Sequence, residues 1–530
     1  MRSFVAVIIF LLLSSAGYAQ GRHVCPSYMQ AEGYPAHVHL KWDGINGFLY
    51  SVYRLDADNG RYVFCGESSE GEFMDFSAGS SDSPRKVVYR ICPDGIAPES
   101  DDAAMFQVSA VMPQANDSTL LDMVQKYTVK YFSEFSHRTS GMARERSNDP
   151  RGSIVTTGGT GFGMMALIAG AERGFISREE VSRIFSGIVN FLAEVERFHG
   201  AWAHWYDADS GRPFNFSQYD DGGDIVETAF LVQGLLTARQ WLKEAGDSRS
   251  LAIAARCDSL SKGVEWSWYT NGTDSLYWHW SRNYGWKMKH RIRGFDETMI
   301  TYVLAAGSET YPVGKKVYDS CYKESDYYYN DAEYYGLPIF IGMPYGGPLF
   351  FTHYSFLGLD PRGLSDGRTD YFVRNRNHSL IHYRYALDNP KGHEGYGPDL
   401  WGFTSSDDPL VGYCSHHPMT ADENGTVSPT AAVSSIVYTP QESLQAIRHM
   451  YYDLGEKLFG PYGFYDAYNP SMCEGQQVVR SYLAIDQGPQ AVMIENYRSG
   501  LLWKYFMSCP EVIKGLETLG FTVKEQEYNQ

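Results

Sequence analysis

The chain has 530 residues, with 63 Asp and Glu against 45 Lys and Arg, a formal charge of −18. That length carries a large core and a smaller second domain, and the acidic balance argues against nucleic acid or an anionic membrane surface as partner. Aromatic residues reach 15%, and Tyr and Trp faces with a polar edge suit sugar rings as well as core.

In chain order, residues 1–20 read as a signal peptide: Arg2, an apolar run from Phe4 to Leu13, then Ala16-Gly17-Tyr18-Ala19 as cleavage site. The run is too short to span a bilayer. Cys25 does not follow any expected cut, so no lipid anchor is expected and the protein is expected to be periplasmic or secreted. The eight cysteines show no CxxC and no metal-like spacing. Cys65 and Cys92 could pair in an exported protein; free buried thiols fit the sequence equally well.

Residues 21–113 alternate with period two. Strands are expected at 37–42, 48–55, 61–66, 86–93 and 106–112, separated by Asp, Gly and Ser turns. Leu40 and Trp42, then Tyr50, Val52 and Arg54, then Val88 and Arg90 resemble a fibronectin type III β-sandwich. From residue 114 to 530 the period becomes helical. Leu120, Leu121, Val124, Tyr127 and Tyr131 mark one apolar stripe. Ser177 and Glu180 form a capping box, and Gly174 stops the helix before it. Further helices are expected at 224–242, 249–270, 296–306, 314–323, 429–436, 441–456 and 488–507. The stretches 199–223, 271–295 and 336–428 read as long loops. Helical hairpins with long loops over one end suit an α/α toroid better than a plain bundle.

The densest chemistry lies in Tyr219 to Trp241, where Asp220, Asp221, Asp224 and Glu227 crowd the start of a helix. Capping explains one Asp and one Glu; four acids that repel one another suit a site holding carboxylates in different protonation states. Gly223-Asp224…Glu227-Thr228 is echoed loosely by Gly294-Phe295-Asp296-Glu297-Thr298, which places Glu297 at a second helix start. Thr156 to Gly163 is glycine-rich but lacks a phosphate-loop lysine and GxGxxG spacing, so close helix packing is the better reading. No HExxH and no GxSxG occurs. Neither a metal nor another cofactor is expected. Carboxylates among aromatic platforms are what glycosidic cleavage requires: one acid protonates the leaving oxygen while another activates water or attacks.

The segments RNYGWKMK…GFDETMITYVLAAGS, GHEGYGPDLWGFTSSD, ADENGTVSPTAAVSSIVYTPQESLQAI, GPYGFYDAYNP and IDQGPQAVMIENYRSGLLWKYFM together resemble the "glycoamylase" domain of glycoside hydrolase family 144, over about residues 119 to 522. The resemblance implies an (α/α)6 toroid acting on β-1,2-glucan or its oligosaccharides with inversion, by endo or exo action, with sophorose release among the outcomes. It places the general acid on Glu297 and further essential acids on Asp220, Asp224 and Glu227. Asp221, His204, Trp286, Tyr396 and Asp399 join the expected substrate-binding set, with Trp401, Asp486, Glu495 and Arg144. The rival readings are an α-glucan glucoamylase, a glycan-binding protein without activity, and a polysaccharide lyase. The lyase would draw on Arg374, Arg376, His378, His382 and Arg384.

Overall fold

In the computed structural model, which describes residues 26–45 and 47–524, Val38, Leu40 and Trp42 point one way along the strand Val38–Trp42 and are buried. The expected signal peptide lies outside the described residues. The chain divides into two compact units, Met1–Met123 and Val124–Gln530.

In the first unit, β1 (Met29–Gly33), β2 (Val38–Trp42) and β5 (Glu72–Asp75) form one antiparallel sheet. A second sheet, in the order β4-β3-β6-β7, joins β3 (Tyr50–Leu55), β4 (Tyr62–Ser68), β6 (Arg85–Pro93) and β7 (Gln107–Met112). Inward residues of both sheets, among them Leu40, Val52, Tyr89 and Met112, share one core, as period-two alternation demands. β1 and β5 escaped the sequence pattern because MQAEG and EFMD hold few apolar residues in alternation. Cys65 and Cys92 are free thiols. They sit on β4 and β6, with β3 between them. Strands two places apart are separated by about 9–10 Å, beyond disulfide reach.

The second unit is mainly helical. Here α1 (Thr157–Glu172), α2 (Arg178–Glu194), α3 (Ile225–Ala245), α4 (Ser248–Lys262) and α5 (Met299–Gly307) are followed by α6 (Tyr371–Asp388), α7 (Ala484–Ser499) and α8 (Pro510–Leu519). α1 and α3 are buried along almost their whole length, as helices apolar all round must be. They pack on each other, α7 packs on α1, and α4 packs on α3. α2 keeps an amphipathic face: Val181, Ile184, Phe185 and Ile188 are buried while Glu179, Glu180 and Arg183 stay exposed. Its expected cap forms, with Ser177 Oγ accepting from the Glu180 amide.

The glycine-rich stretch is a packing seam. A Cβ on Gly161 would lie 2.1 Å from the Phe230 carbonyl oxygen, and one on Gly234 would lie 2.3 Å from that of Gly161. Two backbones meet here with no room for a side chain.

One expectation fails outright. The stretch 336–428, read as loop, contains the 18-residue helix α6. Its inner face is built from Arg374, Asn375, His378 and His382 beside Tyr371, Ile381 and Tyr385, so polar residues fill positions where an apolar stripe is sought. α8 was missed too, and 314–323 is largely a π-turn instead of an α-helix. No helix of the described residues is long and apolar enough to cross a membrane.

Candidate active site

Asp224 ends a two-residue strand that pairs with His279–Trp280, and it caps α3. Its Oδ1 accepts from the Val226 and Glu227 amides, both at 2.9 Å. Its Oδ2 lies 3.0 Å from His204 Nδ1 and 3.2 Å from His279 Nε2. Capping and site are thus one structure, each oxygen with its own task. Asp220 Oδ2 stands 3.0 Å from the same His279 nitrogen and 3.7 Å from His204 Nδ1. Glu227, in the first turn of α3, accepts from the Gly158 amide at the start of α1 at 2.8 Å. A Cβ on Gly158 would come within 2.4 Å of that carboxylate oxygen, so glycine alone permits the bond. The other Glu227 oxygen is 3.8 Å from His204 Nε2.

Burial and neighbours drive these groups apart. Burial pushes Glu227 up to about 7, against His204 and with Asp224. Burial also raises Glu297 well above the usual carboxylate range, reinforced by Asp296 and then by Glu227 and Asp224. Asp224 goes the other way: burial opposes ionisation, but His279 and His204 outweigh it and hold the carboxylate far below its ordinary value. The imidazoles respond in kind. Burial disfavours their charge, yet Glu227 and Asp224 bring His204 to about 9, and Asp224 and Asp220 bring His279 to about 10. At neutral pH the site therefore holds a protonated Glu297, an ionised Asp224 and two imidazolium rings.

A cavity of about 360 Å³ opens on this machinery, with Glu227, Glu297, His204, Trp205, Phe216 and Trp278 on its wall. Glu145 and Arg146 also line it, and behind them lies a second acid group. Arg146 pairs with Glu145 at 2.6 Å and with Asp407 at 3.0 Å. The Asp407 amide donates to Asp466 at 2.6 Å. Asp486 is buried beside this group; burial, then Asp466 and Asp407, raise it far above the usual range, and burial and Asp407 bring Asp466 to about 7. Leu483 and Ile485, just before Asp486 in sequence, line the cavity.

Of the residues expected from sequence, Glu297, Glu227 and His204 line the cavity, and Asp220 and Asp224 stand directly behind His204. Asp221 turns away to accept from Asn283 at 2.7 Å. Trp286 belongs to a neighbouring cavity. Tyr396 is buried and donates to Glu423, Trp401 is buried and donates to the Glu442 carbonyl, and Asp399 accepts from Gln445. Glu495 forms a buried ion pair with Arg173 at 2.8 Å, and Arg144 lies over the Phe135 ring. These five side chains are held by structural contacts outside the cavity wall. Three of the lyase candidates are internal as well: Arg374 donates to the Ile341 carbonyl, and His378 and His382 both bond the Gly347 carbonyl, while Arg376 and Arg384 are exposed on α6. Burial lowers both imidazoles, leaving them spent as bases.

Glu145, Arg146, Asp407, Asp466 and His279 were not singled out. Asp466 lies inside GPYGFYDAYNP, one of the segments that carry the family resemblance, and Arg146 is two residues from Arg144. Only the fold shows that Glu145 and Arg146 share the cavity wall, with Asp407, Asp466 and His279 behind the lining residues. Among the described residues, two sets, His204 with Asp220 and Asp224, and Asp408 with Cys414 and His416, offer donor atoms within 4.8 Å of one another, as a metal would need. In the first, the proton on His204 occupies the lone pair a cation would take.

Residues 289–510 match the "Glycoamylase" family model. The chain is 39% identical to an exo β-1,2-glucooligosaccharide sophorohydrolase (non-reducing end) of Parabacteroides distasonis, over 93% of this chain and 70% of that protein. The chain belongs to glycoside hydrolase family 144. Among solved structures, an endo-β-1,2-glucanase of Chitinophaga pinensis in complex with sophorotriose and glucose is 47% identical, with a TM-score of 0.74, over 77% of this chain and 99% of that one. A β-1,2-glucanase of Parabacteroides distasonis is 38% identical, with a TM-score of 0.83, over 94% of this chain and 74% of that one.

Proposed function

We propose that this chain hydrolyses β-1,2-linked glucan or its oligosaccharides, with Glu297 as general acid and inversion at the anomeric carbon. The observation that carries the reading is Glu297 itself: a carboxyl kept protonated by burial and three neighbouring acids, on the wall of an aromatic-lined cavity it shares with Glu227. A protonated carboxyl beside ionisable ones is the division of roles that glycosidic cleavage needs. Within the Asp220, Asp224 and Glu227 group, only Glu227 reaches the cavity wall, so it is the water-activating candidate of that group. Asp486 is the second candidate, because Leu483 and Ile485, just before it in sequence, line the same cavity.

The relative aligned over 93% of the chain acts as an exo enzyme, and we infer sophorose-releasing exo action here. The test is a time course on linear β-1,2-glucan: sophorose from the first minutes supports the reading, a ladder of longer products overturns exo action, and no reducing ends overturns hydrolysis. Proton NMR of fresh product decides stereochemistry. The α-anomer first means inversion, and the β-anomer first requires a carboxylate nucleophile. Release from starch, or an absorbing unsaturated product, would instead favour the glucoamylase or lyase rivals.

Two broader proposals accompany this one. The buried α1, α3 and α7 with amphipathic partners such as α2 support an (α/α)6 toroid, and the two sheets of the first unit support a fibronectin-III-like sandwich. Residues 1–20 would direct export, which N-terminal sequencing of the mature protein tests.

A further inference from the structure

Beside the catalytic cavity lies a larger one of about 790 Å³, with Tyr277, Trp278 and Trp286 among its lining and Lys289, Arg291 and Arg293 on it as well. Trp278 lines both cavities, and Asp296 lines this one while the adjacent Glu297 lines the other. We propose that this second cavity receives an anionic substituent, a phosphate ester or half-ester carboxylate, carried by a glucan bound next door. The proposal rests on the reading of the catalytic cavity as a glucan site.

Three observations carry it. The cations recur at every second residue and all line the cavity, and the buried Ile292 between Arg291 and Arg293 leaves that pair on the exposed side. Backbone bonds hold that segment in place: the Trp278 amide donates to the His290 carbonyl at 2.9 Å, and the Ile292 amide donates to the Leu276 carbonyl at 2.8 Å. None of the three cations has an ion-pair partner among the described residues, whereas nearby Lys316 and Arg282 pair with Asp274 and Glu196. Unpaired cations gathered at one cavity stand out in a chain of charge −18.

The remaining titratable groups at this cavity do not cancel them. Asp296 accepts from the Thr298 amide at 2.9 Å and, raised by burial only to about 6, stays mostly ionised at pH 7, one carboxylate against three cations; His290 stacks on Trp278 and burial lowers it, so it is neutral at pH 7. The space exceeds what an inorganic anion fills, and the aromatic walls suit a sugar ring bearing the charge.

The experiment compares kcat/KM for a linear β-1,2-glucooligosaccharide with and without a phosphate monoester, in the parent and in Arg291→Gln/Arg293→Gln. The expected result is a parent preference for the esterified chain on the order of tenfold, lost in the double variant while the plain chain is cleaved at the parent rate. A preference absent from the parent, or unchanged in the variant, overturns the proposal. Inorganic phosphate is the second arm, read by tryptophan fluorescence. Phosphate binding that the variant loses, without any preference between oligosaccharides, would mean a free-anion site and also overturns it. If neither oligosaccharide is cleaved, the catalytic reading fails; calorimetric binding of the two chains then decides this proposal on the same criterion of preference.

Discussion

Glu297 and Asp224 are chemically similar side chains that the fold sends in opposite directions. Asp224 meets two imidazoles and two amides, whereas Glu297 meets other carboxyls, so one is held ionised and the other protonated. Replacing Glu297 by Gln keeps shape and removes the proton: Glu297→Gln is expected to fold, bind glucan and lose ~10²–10⁴ in kcat. Near-parent turnover would refute its role as acid. The water-activating group is separable by the same means, since only one of Glu227→Gln and Asp486→Asn should abolish turnover while leaving substrate affinity near the parent value. The His204, Asp220 and Asp224 set gives a further expectation. Because its imidazole is protonated, chelator should leave the rate unchanged; a loss restored by one divalent ion would show that these residues are ligands.

Between elements, the close seam of α1 and α3 is what brings Gly158 to Glu227. Gly161→Ala forces a methyl against the Phe230 carbonyl and should cost about 1–3 kcal/mol of stability, read as a lower denaturant midpoint. An unchanged midpoint would mean that the helices separate freely there. A second tie is Arg239 on α3, which donates two bonds to Glu511 on α8 at 2.7 and 2.8 Å. Arg239→Ala leaves that carboxylate without its partner and should cost about 3–5 kcal/mol. The seam was legible as a glycine run before a helical period. α6 was not, because its buried face is made of Arg, Asn and His that satisfy one another only in three dimensions.

At the scale of the molecule, the buried site couples stability to pH. Glu227 and Asp466 near 7, and His204 and His279 near 9 and 10, all bind protons more tightly folded than unfolded. Their contribution is complete below the ordinary values of 4.5 and 3.8 for the acids and 6.5 for the imidazoles. It is lost as pH rises through the folded ones. Asp224 contributes oppositely, above its ordinary 3.8, and its loss is deferred to far lower pH. The thermal midpoint should therefore fall between about pH 6.5 and 10, and His279→Gln should flatten that fall. A midpoint that rises over this range would contradict the charge states described.

Local pattern by itself determined the change of period near residue 114, the capped helix starts, the glycine seam and the acid cluster at Asp220 to Glu227, because each is written in residues close together. The tertiary structure decided which acids face one cavity. It set Glu145 and Arg146 on the same wall as Glu297, put Asp486 beside Asp466, and took Tyr396, Trp401 and Glu495 into structural contacts. A carboxylate's role follows from its burial and its neighbours, and those neighbours come from segments up to hundreds of residues away, where no spacing rule reaches.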